Sequence, residues 1–172
     1  MNVLLILLGF IGFFLFLYIG GFFVGSRIFI PHMGFRKENI TDVPTSIKRM
    51  ITHFKKRAHD RKAYFYAVCT FLTRHFHGEK RRVWKEFSLL FKDIRYLWKK
   101  KGFLPCTQFC HLLRIFLVKS GLFREEDIKI HHMFHSFSIH QYLLVRVDKR
   151  WMPVDLWAYR YGVPIGKKLD YF

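Results

Sequence analysis

A cysteine, a histidine and an aspartate in the second half of the 172-residue chain are of the types that nucleophilic catalysis requires. Cys106 follows Pro105 at the predicted start of a helix, where free N–H groups and the helix dipole stabilise a thiolate. An imidazole such as that of His140 can accept the thiol proton and return it to a leaving group. A carboxylate such as that of Asp155 can orient the imidazole and stabilise its cation. Cys106, His140 and Asp155 are therefore the candidate catalytic residues.

The histidine and the aspartate fall in two strand-like segments that only two residues separate. A two-residue turn pairs Val147 with Arg150 across the resulting hairpin. In that register His140 lies opposite Trp157, and Asp155 lies one diagonal step away on the same face. Diagonal neighbours are about 7–8 Å apart at the backbone, so an imidazole and a carboxylate can meet between them. A slip of one residue would place the two side chains on opposite faces.

The elements that must position these residues change type along the chain. Apolar residues recur at helical spacing before residue 120, and the later segments are rich in Ile, Val, Phe, Tyr and Trp. The patterns predict helices over residues 44–56, 61–76, 83–100 and 105–119, and strands over residues 127–137, 140–147 and 150–157. Helices followed by an antiparallel sheet indicate an α+β domain. The apolar face of the first helix could lie on a membrane surface or pack on the domain.

The N-terminal residues 1–26 carry no charged side chain, and Val3 to Val24 is almost wholly apolar. A helix of this length extends about 33 Å, which is enough to cross the hydrocarbon core of a bilayer. A cleaved signal peptide would have basic residues before a shorter apolar run. Residues 1–26 are therefore predicted to form one transmembrane anchor, followed by a basic juxtamembrane linker and helix (27–58) and a catalytic domain (59–172). Because positive residues near a span stay on the cytoplasmic side, we expect the domain in the cytoplasm.

The charge of the chain favours an anionic partner. Lys and Arg number 30 against 12 for Asp and Glu, giving a formal net charge of +18. Anionic lipid, nucleic acid and acidic protein all fit such a surplus, and basic residues also flank membrane spans. Charge and scattered aromatic residues are the only features that suggest nucleic acid, so no specific nucleic-acid partner is expected. The three cysteines do not form a disulfide framework; Cys69 and Cys110 could pair, and all three are predicted to be thiols.

The segment around the cysteine resembles the nucleophile helix of the transglutaminase-like, papain-related cysteine hydrolase superfamily. In that helix an aromatic residue follows the cysteine by three positions and a small residue by four, here Phe109 and Cys110, and a glycine, here Gly121, closes the helix. Residues 140–143 and 150–155 are similar to the histidine strand and the aspartate strand of the family. The spacings of 34 residues from cysteine to histidine and 15 from histidine to aspartate are ordinary for it.

The resemblance extends over about residues 60 to 160 and has two departures. Residues 63–76, followed by Trp84, are similar to the leading helices of the family. Leu104 stands where the family usually has a glycine, and Tyr142 stands where it usually has a tryptophan. Neither departure removes a catalytic group, although both affect the shape of the substrate cleft.

The resemblance implies a transglutaminase-like core and a thiol enzyme acting on amide or ester bonds of a protein or peptide, without a cofactor. Cys106 would attack the carbonyl, His140 would transfer the proton and Asp155 would orient His140. The backbone N–H of Cys106 would help to bind the oxyanion. Water as the final acceptor would give hydrolysis, and an amine would give crosslinking. The alternative is a catalytically silent binding module of the same fold at the membrane surface.

A group of histidines suggests a metal site as a further alternative. His131, His132, His135 and His140 could act with Cys106 or Cys110. Zinc ligands usually occur in pairs at short loop spacing, whereas alternation along a strand points neighbouring histidines to opposite faces. We therefore predict no metal and interpret the first three histidines as surface or cleft-lining groups.

Overall fold

The computed structural model describes residues 7–16, 43–79, 88–89, 92–135 and 138–167. The chain divides into two compact units, residues 1–38 and 39–172. Residues 7–16 of the first unit are helical, and their side chains are exposed. Within the described ranges no helix has both the length and the apolar character that crossing a bilayer requires. The remainder of the predicted anchor and residues 27–42 of the predicted linker lie outside the described residues.

The second unit contains helices followed by a three-stranded antiparallel sheet, which confirms the predicted α+β class. Its elements, in chain order, are α1 (Thr45–Arg57), α2 (Arg61–His75), β1 (Phe76–His77), α3 (Ile94–Lys100), β2 (Gly102–Phe103), α4 (Cys106–Lys119), a 3-10 helix (Glu125–Asp127), β3 (Ile128–His135), β4 (Ser138–Val147), β5 (Arg150–Val154) and a second 3-10 helix (Ala158–Tyr161). Strands β1 and β2 form a short parallel pair, and β3, β4 and β5 are neighbours in that order.

Helix α4 is the buried centre of the domain. Every residue from Thr107 to Leu117 is buried, because the helix packs between α1, α2 and the sheet. Pro105 has extended backbone angles and precedes the first helical residue, Cys106. At the other end Gly121 adopts φ 74°, a left-handed conformation that glycine takes at low cost. These bounds agree with the predicted helix within one residue.

The first helix packs on the domain, which decides the question that its sequence left open. Ile47 and Ile51 on α1 are buried in the core, and the Phe54 ring lies 5.1 Å from the Phe71 ring, centroid to centroid. The basic side chains of α1 are exposed, and among them Lys55 also donates a hydrogen bond to the Ser120 carbonyl at 2.9 Å. Helix α2 follows, and its N-terminus is capped by Asp60, which accepts a hydrogen bond from the Ala63 N–H at 2.6 Å. The amphipathic pattern of α1 therefore reflects burial against protein.

The prediction of one continuous helix over residues 83–100 is wrong. Residues 88–89 are helical, but residues 92 and 93 are not, and α3 begins at Ile94. The reason is Asp93, whose carboxylate accepts a hydrogen bond from the Tyr96 N–H at 2.8 Å. Aspartate at this position satisfies a free N–H of a new helix and so favours a helix start over a helix interior. Residues 80–87, including Trp84, and 90–91 lie outside the described residues.

The hairpin of β4 and β5 has the predicted register. Val147 pairs with Arg150 and Leu143 with Val154. The turn residues Asp148 and Lys149 both have positive φ, 48° and 65°, as the type I′ turn between twisted strands requires. The prediction that the second strand continues to residue 157 is wrong, because the chain leaves the sheet after Val154 and turns into the second 3-10 helix.

A buried carboxylate that the sequence patterns did not single out connects the helices to the sheet. Asp127 accepts hydrogen bonds from Arg61 of α2 at 2.7 Å and from Nε of Arg146 of β4 at 2.8 Å. The Arg61 guanidinium also lies 4.0 Å above the Phe123 ring. Burial by itself raises the pKa of Asp127, but the Arg124 N–H and the two guanidinium groups outweigh it and hold the pKa below its usual value.

Candidate active site

The structure brings Cys106 and His140 into contact at the N-terminal end of α4. Cys106 is the first residue of the helix and is partly exposed. His140, which lies on β4 and is buried, is near enough for Cys106 to raise the pKa of its imidazole. The helix begins at this point because Pro105 precedes it in an extended conformation, and its dipole is positive at this end. Cys106 therefore lies at the positive end of the α4 dipole.

The imidazole of His140 is oriented by Asp155. Nε2 of His140 donates a hydrogen bond to Oδ2 of Asp155 over 2.6 Å, and both side chains are buried. The second carboxylate oxygen, Oδ1, accepts from the Ala158 N–H at 3.0 Å, and the Asp155 carbonyl accepts from the Tyr159 N–H at 3.1 Å. Since Nε2 is engaged by Asp155, Nδ1 is the ring nitrogen that remains for the thiol. The predicted meeting of the imidazole and the carboxylate is confirmed.

The surroundings of His140 favour its protonated form. Burial alone would lower the pKa of His140. The hydrogen bonds to Asp155 and Cys106, with the charges of both groups, outweigh burial and raise this pKa to about 10. An imidazolium beside the sulfur atom stabilises a thiolate. The arrangement can therefore hold a thiolate–imidazolium pair.

The other two cysteines lie in a different environment. Cys69 and Cys110 are buried free thiols, as the sequence predicted, and burial raises the pKa of each. Cys110 Sγ lies 3.5 Å from the Gln141 carbonyl oxygen, directly beneath the start of α4. Buried thiols in apolar surroundings react slowly, because the thiolate is the reactive form. Cys106 is thus the cysteine that combines exposure with a basic partner.

An aromatic group that the sequence did not identify as functional covers the histidine. The Trp157 ring lies 5.2 Å from the His140 ring and 5.2 Å from the Tyr161 ring, centroid to centroid. A Cβ atom on Gly78 would lie 2.4 Å from the Trp157 indole, so only glycine fits beneath the ring. The predicted register, which set Trp157 opposite His140, was the one available signal; nothing indicated Gly78.

Two of the remaining candidate histidines, His131 and His132, form hydrogen bonds with side chains of β4. Nδ1 of His131 is hydrogen-bonded to the Tyr142 hydroxyl at 3.3 Å, and Nε2 of His132 donates to Gln141 Oε1 at 3.2 Å. The side chain of His135 lies outside the described part of the structure. In that part, no three or more His, Cys, Asp and Glu side chains are grouped so that they could hold a metal ion.

The two departures from the resembled family are packed into the domain. Leu104 is buried, and its N–H donates to the His77 carbonyl at 3.0 Å. This bond joins β1 to the segment that leads into Cys106. Tyr142 is also buried and uses its hydroxyl for His131.

Comparison of the sequence with protein-family models and with curated proteins gave no match. Among solved structures the chain is similar to one described as the crystal structure of a TGase, with 12% sequence identity and a TM-score of 0.48. The similarity covers 91% of this chain and 42% of that chain. This chain therefore spans about two fifths of the length of that protein.

Proposed function

We propose that this chain is a transglutaminase-like cysteine hydrolase or acyltransferase that acts on an amide or ester bond of a protein or peptide. Cys106 is the nucleophile, His140 the general base and acid, and Asp155 the residue that orients His140. The observation that carries the proposal is the buried 2.6 Å bond between His140 Nε2 and Asp155 Oδ2 beside a thiol at a helix N-terminus.

The reaction proceeds in two halves. His140 takes the proton of Cys106, and Sγ attacks the carbonyl carbon to form a tetrahedral intermediate, whose oxyanion the Cys106 N–H helps to bind. The intermediate expels the amine or alcohol, which receives the proton from His140, and leaves a thioester on Cys106. Water or an amine, deprotonated by His140, then attacks the thioester and releases the free thiol. Asp155 stabilises the imidazolium in both halves.

In this proposal residues 1–26 anchor the enzyme as a single span, and the catalytic domain, whose core includes Ile47 and Ile51 of α1, faces the cytoplasm. Support comes from the uncharged N-terminal run, from the exposed apolar side chains on the helix of residues 7–16, and from the basic residues that follow. The exposed basic side chains of α1 would add contacts with anionic lipid. No nucleic acid, metal or cofactor takes part.

The experiment that tests the activity is capture of the acyl intermediate. The full chain in a neutral detergent is treated with an activated peptide ester, quenched in acid and digested for mass spectrometry. We expect acylation on the peptide that contains Cys106, absent from Cys106→Ala and retained in the control Cys69→Ala. A peptide ester that binds without acylating any cysteine would contradict the enzyme and support the silent binding module.

A further inference from the structure

A groove of about 440 Å³ opens beside the candidate active site. Its volume lies within the range of about 300–1,000 Å³ that is usual for ligand sites. It is lined by Thr73, Phe76, His77, Leu156, Tyr159 and Arg160. One wall is therefore the C-terminal end of α2 with β1, and the other is the segment that follows Asp155.

The groove adjoins the crevice of the proposed nucleophile at one shared residue. Leu156 lines the groove and also the narrow crevice that contains Cys106 and Asp155. On the opposite wall, the His77 carbonyl accepts the hydrogen bond from Leu104, two residues before Cys106. The groove and the crevice of Cys106 are therefore neighbours on the two sides of Leu156.

The chemistry of the lining differs between the floor and the rim. Phe76 and Leu156 are buried and form an apolar floor. Tyr159 and Arg160 are exposed at the rim. Such a site fits a group with an apolar body and a polar or charged end, because each part can meet a matching surface.

Arg160 places a positive charge at the rim. His77 already has an acidic partner, since Glu79 Oε1 lies 3.0 Å from its Nε2. Arg160, by contrast, forms no ion pair with any acidic side chain among the residues that the structure describes. A guanidinium presents parallel N–H groups that match a carboxylate. The net charge of +18 would also draw an acidic ligand toward the domain.

We propose that this groove is a substrate subsite for an acidic peptide segment. A glutamate side chain of the substrate would place its methylene groups on Phe76 and Leu156 and its carboxylate at Arg160. The inference rests on the function proposed above, because it makes the groove the binding surface of the same enzyme. The substrate is therefore an acidic protein, whereas the exposed basic side chains of α1 contact lipid.

A measurement of peptide binding tests the subsite independently of catalysis. The test uses the full chain carrying Cys106→Ala, which cannot turn over, in a neutral detergent at low salt. The probes are two hexapeptides with an uncharged dye, one containing phenylalanine and three glutamates, the other with glutamine in place of each glutamate. Fluorescence anisotropy gives the Kd of each peptide for this protein and for versions that also carry Arg160→Ala, Arg160→Lys or Arg150→Ala. Arg150 is the matched control, since it is exposed at the hairpin turn.

We expect the glutamate peptide to bind up to about fivefold tighter than the glutamine peptide, which is the contribution of an exposed ion pair. Arg160→Ala should abolish most of this preference, Arg160→Lys should keep part of it, and Arg150→Ala should keep all of it. Equal binding of both peptides, or equal losses with Arg160→Ala and Arg150→Ala, would overturn the inference. Arg160-dependent binding of a six-nucleotide single-stranded DNA that exceeds peptide binding would overturn it in favour of nucleic acid.

Failure of the inference and failure of the proposed function give different results. If Cys106 is acylated but Arg160→Ala leaves the preference for glutamate unchanged, the subsite is wrong and the enzyme stands. If the Arg160-dependent preference is measured but no cysteine is acylated, the groove stands as a peptide-binding site and the catalytic proposal is wrong.

Discussion

Asp155 reaches His140 from outside the sheet: its carboxylate Oδ2 lies 2.6 Å from the imidazole Nε2, although strand β5 has ended at the preceding residue. The position allows the other oxygen, Oδ1, to accept the Ala158 N–H at the start of the 3-10 helix. A carboxylate held on both oxygens has little freedom to rotate. His140 is therefore presented to Cys106 in one orientation.

Removal of the imidazole should slow the reaction of Cys106 with an alkylating agent. In the wild-type chain near neutral pH, Cys106 should react faster than Cys69 or Cys110, because burial raises the pKa of both of those thiols. His140→Ala removes the cation beside the sulfur, so alkylation of Cys106 should slow by about tenfold or more. Peptide-resolved mass spectrometry after iodoacetamide treatment measures the three rates. Identical rates for Cys106 in wild type and His140→Ala would exclude the assigned pair.

Substitution of Asp155 by Asn should leave the fold intact and depress turnover. An amide can still accept the Ala158 N–H through its oxygen, so the 3-10 helix keeps its start. It carries no negative charge to stabilise the imidazolium, and with its oxygen on the Ala158 N–H it turns its NH2 group toward Nε2 of His140, so kcat should fall by about 10²- to 10⁴-fold. Turnover of a peptide ester and circular dichroism are measured together. Unchanged kcat with an unchanged spectrum would remove Asp155 from the mechanism.

The raised pKa of His140 should make the domain less stable as the pH rises. The folded value of about 10 exceeds the ordinary value of 6.5, so between these limits the His140 imidazole holds a proton in the folded state that it has lost in the unfolded state. The contribution of His140 to the free energy of unfolding is complete below pH 6.5 and is lost as the pH rises toward 10. The free energy falls by up to about 1.4 kcal/mol per pH unit in this range. Urea titrations of wild type and His140→Gln between pH 6 and 9.5 give the difference. The prediction is contradicted if the difference in free energy of unfolding between wild type and His140→Gln does not fall over this range.

A methyl group at Gly78 should disturb the aromatic cover of the site. Gly78→Ala would place Cβ 2.4 Å from the Trp157 indole, so the ring must shift and its packing on His140 must change. We expect a loss of about 1–3 kcal/mol in the free energy of unfolding, together with slower alkylation of Cys106. Gly12→Ala is the control, because a Cβ there meets nothing within 4 Å. Equal stability of the two variants would show that the indole has room to shift.

The exposed basic face of α1 should bind anionic lipid. A fragment of residues 39–172 is mixed with vesicles of phosphatidylcholine alone or with phosphatidylserine and then sedimented. Each Lys or Arg near the anionic surface contributes about 1 kcal/mol, screened by salt. Lys48→Glu with Arg49→Glu should therefore weaken binding to the anionic vesicles much more than Arg150→Glu does. Equal sedimentation of the fragment with both vesicle types would contradict this prediction.

Local physical rules were sufficient for the helix of the nucleophile and for the hairpin. The bounds of α4 follow from Pro105 and Gly121, and the register follows from a two-residue turn that pairs Val147 with Arg150. Each of these features depends on residues within a few positions of one another. A sequence read alone therefore predicts them, and with them the position of Cys106 and the face of His140.

Other features are decided by contacts between distant parts of the chain. The sequence left α1 equally suited to a membrane or to the core, and only the packing of Phe54 against Phe71 decides it. Gly78 has no local signature, because its importance comes from an indole 79 positions later. The groove likewise has one wall near residue 76 and the other near residue 159. Residue types and short spacings determined which groups can react, whereas the tertiary structure decided what surrounds them, because side chains far apart in sequence meet only after the chain has packed.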